Sequence, residues 1–149
     1  MKKSIFKLFV GITMLLMAFS LAACGGNKEK DPMGMTDGKY NTVEGYVASD
    51  EVQKELASLK DTLASSGLNM EVTGKDNKLI YTYTYQDITK SDELADTLAE
   101  QMETQADMFR SVATSIKEYV NEETPIVVVE YLDSNGELIY SAEFESEAE

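Results

Sequence analysis

The chain has no histidine, no tryptophan and a single cysteine. Without a second cysteine no intrachain disulfide can form, so the fold must stand on its core even in an oxidising compartment. Without histidine the usual general base, the usual zinc ligand and the Ser-His and Cys-His nucleophile pairs are missing. Beyond Cys24 no Ser-x-x-Lys or Gly-x-Ser-x-Gly motif replaces them. No catalytic residue, cofactor or metal site is therefore expected. Positive charge is scarce as well, with 13 basic residues against 27 acidic ones. Such a balance argues against nucleic acid and anionic headgroups as ligands, because both repel it.

What the chain does have begins at its N-terminus. Lys2, Lys3 and Lys7 form a basic region, and residues 8–21 are almost wholly apolar. That run has the length of a signal-peptide core and falls short of the roughly 20 apolar residues of a membrane span. Leu21-Ala22-Ala23-Cys24 follows, with small residues where a signal peptidase needs them. The motif resembles the lipobox of bacterial lipoproteins. That resemblance implies cleavage after Ala23, a diacylglyceryl group on Cys24 and anchoring at the outer face of the cytoplasmic membrane. Two acyl chains meet the two-signal requirement for stable anchoring.

The expected organisation is a signal peptide over residues 1–23, a flexible tether over 24–40, one α+β domain over 41–145 and an acidic tail over 146–149. Three basic residues and no acidic one precede Cys24, which leaves ten against 27 in the mature chain. Residues 25–39 lack periodicity and are rich in Gly, Lys and Asp, the composition of a coil. Met33 and Met35 lack the further soft ligands that a thioether metal site needs.

Residues 42–47 form a short helical lead-in. Ser49, followed by Asp50 and Glu51, reads as the start of a helix, and Val52, Leu56, Leu59 and Leu63 recur at its period until Gly67 stops it. Two alternating runs, Met70–Thr73 and Leu79–Tyr85, make a hairpin around residues 74–77. Ser91 caps a second helix, which neither Gly nor Pro interrupts before Pro125; this predicts roughly 30 residues and about 45 Å of helix. A second hairpin pairs Ile126–Leu132 with Leu138–Phe144 around Asp133-Ser134-Asn135-Gly136.

The order is helix, hairpin, helix, hairpin, written α-β-β-α-β-β. Lys78-Leu79-Ile80-Tyr81 and Glu137-Leu138-Ile139-Tyr140 sit alike after each turn and suggest tandem α-β-β units. The fold expected is one four-stranded antiparallel sheet made of both hairpins. Two helices would cover the face carrying Leu79, Tyr81, Tyr83, Leu138, Tyr140 and Phe144.

Several segments share a family likeness: the lipobox, Val43-Glu44-Gly45-Tyr46-Val47, Ser49-Asp50-Glu51-Val52, Lys78–Tyr83, and Pro125–Leu132 before Asp-x-Asn-Gly. Their order and spacing resemble an uncharacterised family of small Gram-positive lipoproteins, catalogued as a domain of unknown function. The likeness runs from Thr42 to Phe144. It implies a location and a fold, and brings no catalytic or binding residue.

Three surfaces stand out. Asp92, Asp96, Glu100, Glu103 and Asp107 line one helix face, and no Lys or Arg falls between Lys90 and Arg110 to offset them. Tyr81, Tyr83 and Tyr85 form a ladder that reads as core. The other sheet face would carry Ile80, Thr82, Thr84, Ile139, Ser141 and Glu143, a mixed surface suited to a docking partner. The function expected is a non-enzymatic binding module of the cell envelope, with an envelope protein as partner. The alternative is a divalent cation or cationic peptide held on the acidic helix face.

Overall fold

The computed structural model describes residues 35–146. The expected signal peptide, with Ala23, and the expected lipidation site Cys24 lie outside that range, as do residues 147–149. Within the stretch expected as tether, β1 (Met35–Thr36) and β2 (Lys39–Tyr40) form a small hairpin around Asp37 and Gly38, both at positive φ.

The lead-in is α1 (Val43–Val47), whose N-cap Thr42 accepts the Gly45 amide at 3.0 Å. It turns directly into α2 (Asp50–Ala64). Ser49 holds the N-cap position there, but its hydroxyl donates backwards to the Tyr46 carbonyl at 2.7 Å and welds the two helices together. Val52, Leu56 and Leu63 are buried, as their spacing requires.

The sheet comprises β3 (Leu68–Lys75), β4 (Lys78–Tyr85), β5 (Ile126–Leu132) and β6 (Leu138–Glu145), in the order β3-β4-β5-β6. Both expected hairpins form, but the sheet that joins them is mixed, because β4 and β5 run parallel. The cause is α3 (Asp92–Ile116). Its 25 residues span about 38 Å and carry the chain from the end of β4 back to the level where β4 began. The next strand then starts beside the start of β4, the geometry of a crossover connection. The expectation of an all-antiparallel sheet overlooked that return path. The helix is also a turn shorter than expected: it ends at Ile116, and after a turn through residues 117–119 the chain bridges Tyr40 at Val120.

Helices α1 and α2 pack on β3 and β4, while α3 packs on β6 and β5. The core between them holds Tyr81, Tyr83, Tyr131, Phe109, Leu56 and Leu98, each at most 1 % exposed. Phe109 of α3 stacks on Phe144 of β6 at 5.0 Å. Tyr83 stacks on Tyr131 across the parallel pair at 5.2 Å.

A register shift at Tyr131/Leu132 alters the last strand. Tyr140 faces Tyr131, but Leu138 faces Leu132, so Ile139 is the extra residue of a bulge. Leu138, expected in the core, is 46 % exposed, and Ile139, expected on the open face, is buried in the core cluster. The two similar tetrapeptides are thus not in equivalent places: Leu79 is buried where Leu138 is exposed. This removes the positional basis for tandem units.

Candidate functional site

The face of the sheet turned away from the helices is uncovered among the described residues. Alternation puts Ile80, Thr82 and Thr84 of β4 on it, flanked by Val128, Glu130 and Leu132 of β5. The β4 residues are half-buried, whereas Ser141 and Glu143 at the β6 edge are exposed. Val128 lies between Ile80 and Glu143 in register and is only 4 % exposed. Beside it, Lys78 Nζ reaches over β5 to Glu143 Oε1 at 2.6 Å. The Thr82 hydroxyl donates to Glu130 Oε2 at 3.3 Å. The result is an aliphatic and threonine strip with an ion pair laid across one end.

The five carboxylates on α3 are exposed and share the face opposite Leu94, Leu98 and Met102. Arg110 pairs with Asp107 at 2.9 Å, at the C-terminal end of the row. Glu103 lies near the half-buried Tyr140, whose phenol is pushed up first by burial and then by that carboxylate. The row is therefore an open acidic rim along the β6 side. It does not enclose a ligand.

The tyrosine ladder is core. Tyr81, Tyr83 and Tyr85 are each 1 % exposed, and burial pushes all three phenols up. None of these rings is offered to a sugar.

An open polar cleft of about 460 Å³ lies between Thr42, Glu44, Asp76, Asn77 and Glu122. The residue pattern does not single it out, because its lining comes from three segments far apart in sequence: the start of α1, the β3–β4 turn and the stretch after α3. The Thr42 hydroxyl is occupied by the Gly45 amide, and Asn77 Nδ2 donates to the Thr124 carbonyl at 2.7 Å. Among the described residues no group of three or more His, Cys, Asp or Glu side chains is placed to hold a metal ion.

Asp133 was expected to be only a turn residue. Its side chain is buried and organises a whole end of the molecule. Oδ1 accepts the amides of Asn135 at 2.8 Å and Glu137 at 2.9 Å, while Oδ2 accepts the Lys90 amide at 3.1 Å. These donors, Glu137 foremost and then Lys90, hold the carboxyl below its ordinary range against the opposing effect of burial. Ser134 N to Ile88 O and Lys90 Nζ to Glu137 Oε1 complete the link. The β5–β6 turn is thereby fastened to the loop that leads into α3.

Residues 43–144 match the model of a family described as a domain of unknown function (DUF4854). The chain belongs to that family. The match opens at the first residue of α1 and closes in β6, so the DUF4854 domain takes in all three helices and the four-stranded sheet, with β1 and β2 outside it. No curated protein matches the chain. No solved structure does either.

Proposed function

We propose that the protein is a lipid-anchored, extracytoplasmic binding module of the Gram-positive cell envelope, without enzymatic activity. The lipobox-like Leu21-Ala22-Ala23-Cys24 motif supports the anchoring. The observation that carries the binding role is the helix-free sheet face on which Ile80, Thr82, Thr84 and Leu132 stay half-buried around the buried Val128. Helices seal the other face with a packed aromatic core, so this mixed aliphatic and threonine strip is the sheet surface left to a partner. The partner class that fits it is an envelope protein presenting its own apolar or extended segment.

Two experiments test the two halves. Mass spectrometry of the N-terminal peptide from the native membrane should find Cys24 acylated, and Cys24→Ser should release the protein into the medium. An unmodified Cys24 overturns the anchoring. The mature domain, immobilised, should capture a stoichiometric envelope protein that survives high salt and is lost with Thr82→Lys. Capture that vanishes at high salt, or is indifferent to Thr82→Lys, overturns the sheet-face reading.

The alternative, a cationic peptide or divalent cation on α3, draws on five exposed carboxylates along one helix face. Binding that collapses in salt and with Glu100→Gln would favour it.

A further inference from the structure

The bonds of β5 decide which main-chain groups of β6 are left over. The Ile126 amide donates to Asn77 O, on the β4 side, and the Ser146 amide donates to Pro125 O at 3.3 Å. Bonded and non-bonded pairs alternate along an antiparallel ladder, so Val127, Val129 and Tyr131 exchange bonds with Phe144, Ala142 and Tyr140. The amides and carbonyls of Ser141, Glu143 and Glu145 therefore point away from β5, to the outer edge of the sheet. Strand β6 ends the sheet order, and among the described residues nothing hydrogen-bonds to that edge. Exposed edges are commonly blunted by proline or lysine. Strand β6 contains neither.

Helix α3 borders this edge. It packs on β6 and runs in the same direction, and its Glu103 lies near Tyr140 on the helix side of the strand. The row from Asp92 to Asp107 is about 22 Å long and β6 about 26 Å, so the carboxylates accompany most of the strand. The cations on this side are already paired, Lys78 with Glu143, Lys90 with Glu137 and Arg110 with Asp107. Lys39 and Lys117 sit past the C-terminal end of α3, and Lys75 is on the opposite edge strand. Asp92, Asp96, Glu100, Glu103 and Glu145 enter no ion pair among the described residues.

We infer that the outer edge of β6 accepts an extended basic segment of a partner protein as a fifth strand, with the carboxylates of α3 facing its basic side chains. Main-chain bonds to Ser141, Glu143 and Glu145 align the segment, and every second side chain projects on the helix side towards Glu100 and Glu103. A second copy of this chain does not suit the edge. Two β6 strands paired antiparallel keep both α3 helices on one face and set their acidic rows side by side, a like-charge juxtaposition. The inference deepens the cationic-peptide reading above by adding main-chain pairing, and it is independent of the sheet-face strip.

The test uses the mature chain, residues 24–149, and a peptide that alternates lysine and threonine over the 8 residues of β6, capped at both ends. In low salt the peptide should bind. Hydrogen exchange at the Ser141, Glu143 and Glu145 amides, fast in the free protein, should then slow about tenfold. Slow exchange there before the peptide is added overturns the free edge. N-methylation of the peptide at one alternate set of residues should abolish binding, and at the other set should leave it intact, because only one set faces β6. Equal effects of the two sets overturn strand addition. Ser141→Pro removes an outward donor at a place where an edge strand tolerates proline, and should weaken binding several-fold. Should that variant fail to fold, the two methylated peptides still decide the matter on the unaltered protein. Glu100→Gln with Glu103→Gln should weaken binding about tenfold. Binding that needs these carboxylates but ignores N-methylation overturns the inference and leaves the peptide on the helix face alone. No binding in low salt overturns both readings.

Discussion

Gly74 lies directly beneath the backbone of Glu44: a Cβ placed on it would come within 2.5 Å of the Glu44 Cα and 2.6 Å of its nitrogen. That approach lets α1 sit down on β3 at the edge of the sheet. Gly74→Ala should therefore destabilise the domain by about 1–3 kcal/mol, since backbone cannot yield as a side-chain tip can. Urea unfolding checks it, and an unchanged midpoint would show that α1 shifts freely.

The Asp133 carboxylate is held below its ordinary range by amide donors, so its stabilising effect is full above the unfolded value near 4 and fades as pH falls through the lowered folded value. Asp133→Asn should lower the unfolding midpoint at pH 7. The gap between wild type and variant should close as the buffer is taken towards pH 2. A constant gap across that range would mean that the charge of Asp133 contributes nothing to the clamp.

Burial raises the phenols of Tyr46, Tyr81, Tyr83, Tyr85 and Tyr131 well above 10. Each resists losing its proton while folded, so stability is intact below pH 10 and declines as pH rises beyond the unfolded value. Absorbance at 295 nm should show these five of the eight tyrosines ionising only together with loss of circular dichroism. A smooth titration near pH 10 with the fold intact would contradict their burial.

Neutralising the acidic rim with Asp96→Asn, Glu100→Gln and Glu103→Gln should leave the fold intact and raise stability by a few tenths of a kcal/mol per like-charge contact removed. The gain should shrink in high salt, because exposed charges are screened. A loss of stability in thermal melts would indicate that these carboxylates make contacts beyond mutual repulsion.

Much of the local structure was legible in the residue pattern. The period of Val52, Leu56 and Leu63 and the alternation of Leu79 to Tyr85 each reflect a helix or strand with one buried face, and both elements formed where the pattern put them. The run Ile126-Val127-Val128-Val129 carried a further signal. Continuous apolar residues suit a strand with parallel neighbours and burial on both faces, and Val127, Val128 and Val129 are all buried.

Direction, register and convergence were decided only in three dimensions. The apolar run of β5 is compatible with a parallel neighbour but does not say which strand that is; the length and path of α3 set β5 beside β4 in the same direction. One extra residue at Ile139 exchanged the faces of Leu138 and Ile139, and the alternation of β6 read alone does not reveal it. Asp133 looked like turn chemistry because its third donor, Lys90, is 43 residues away in sequence. The sequence by itself determined the elements, the acidic excess and the absence of histidine and of a second cysteine. Tertiary structure decided which strands pair, which face stays open and what the chain before Val43 is fastened to, because each depends on groups that meet only when distant segments pack.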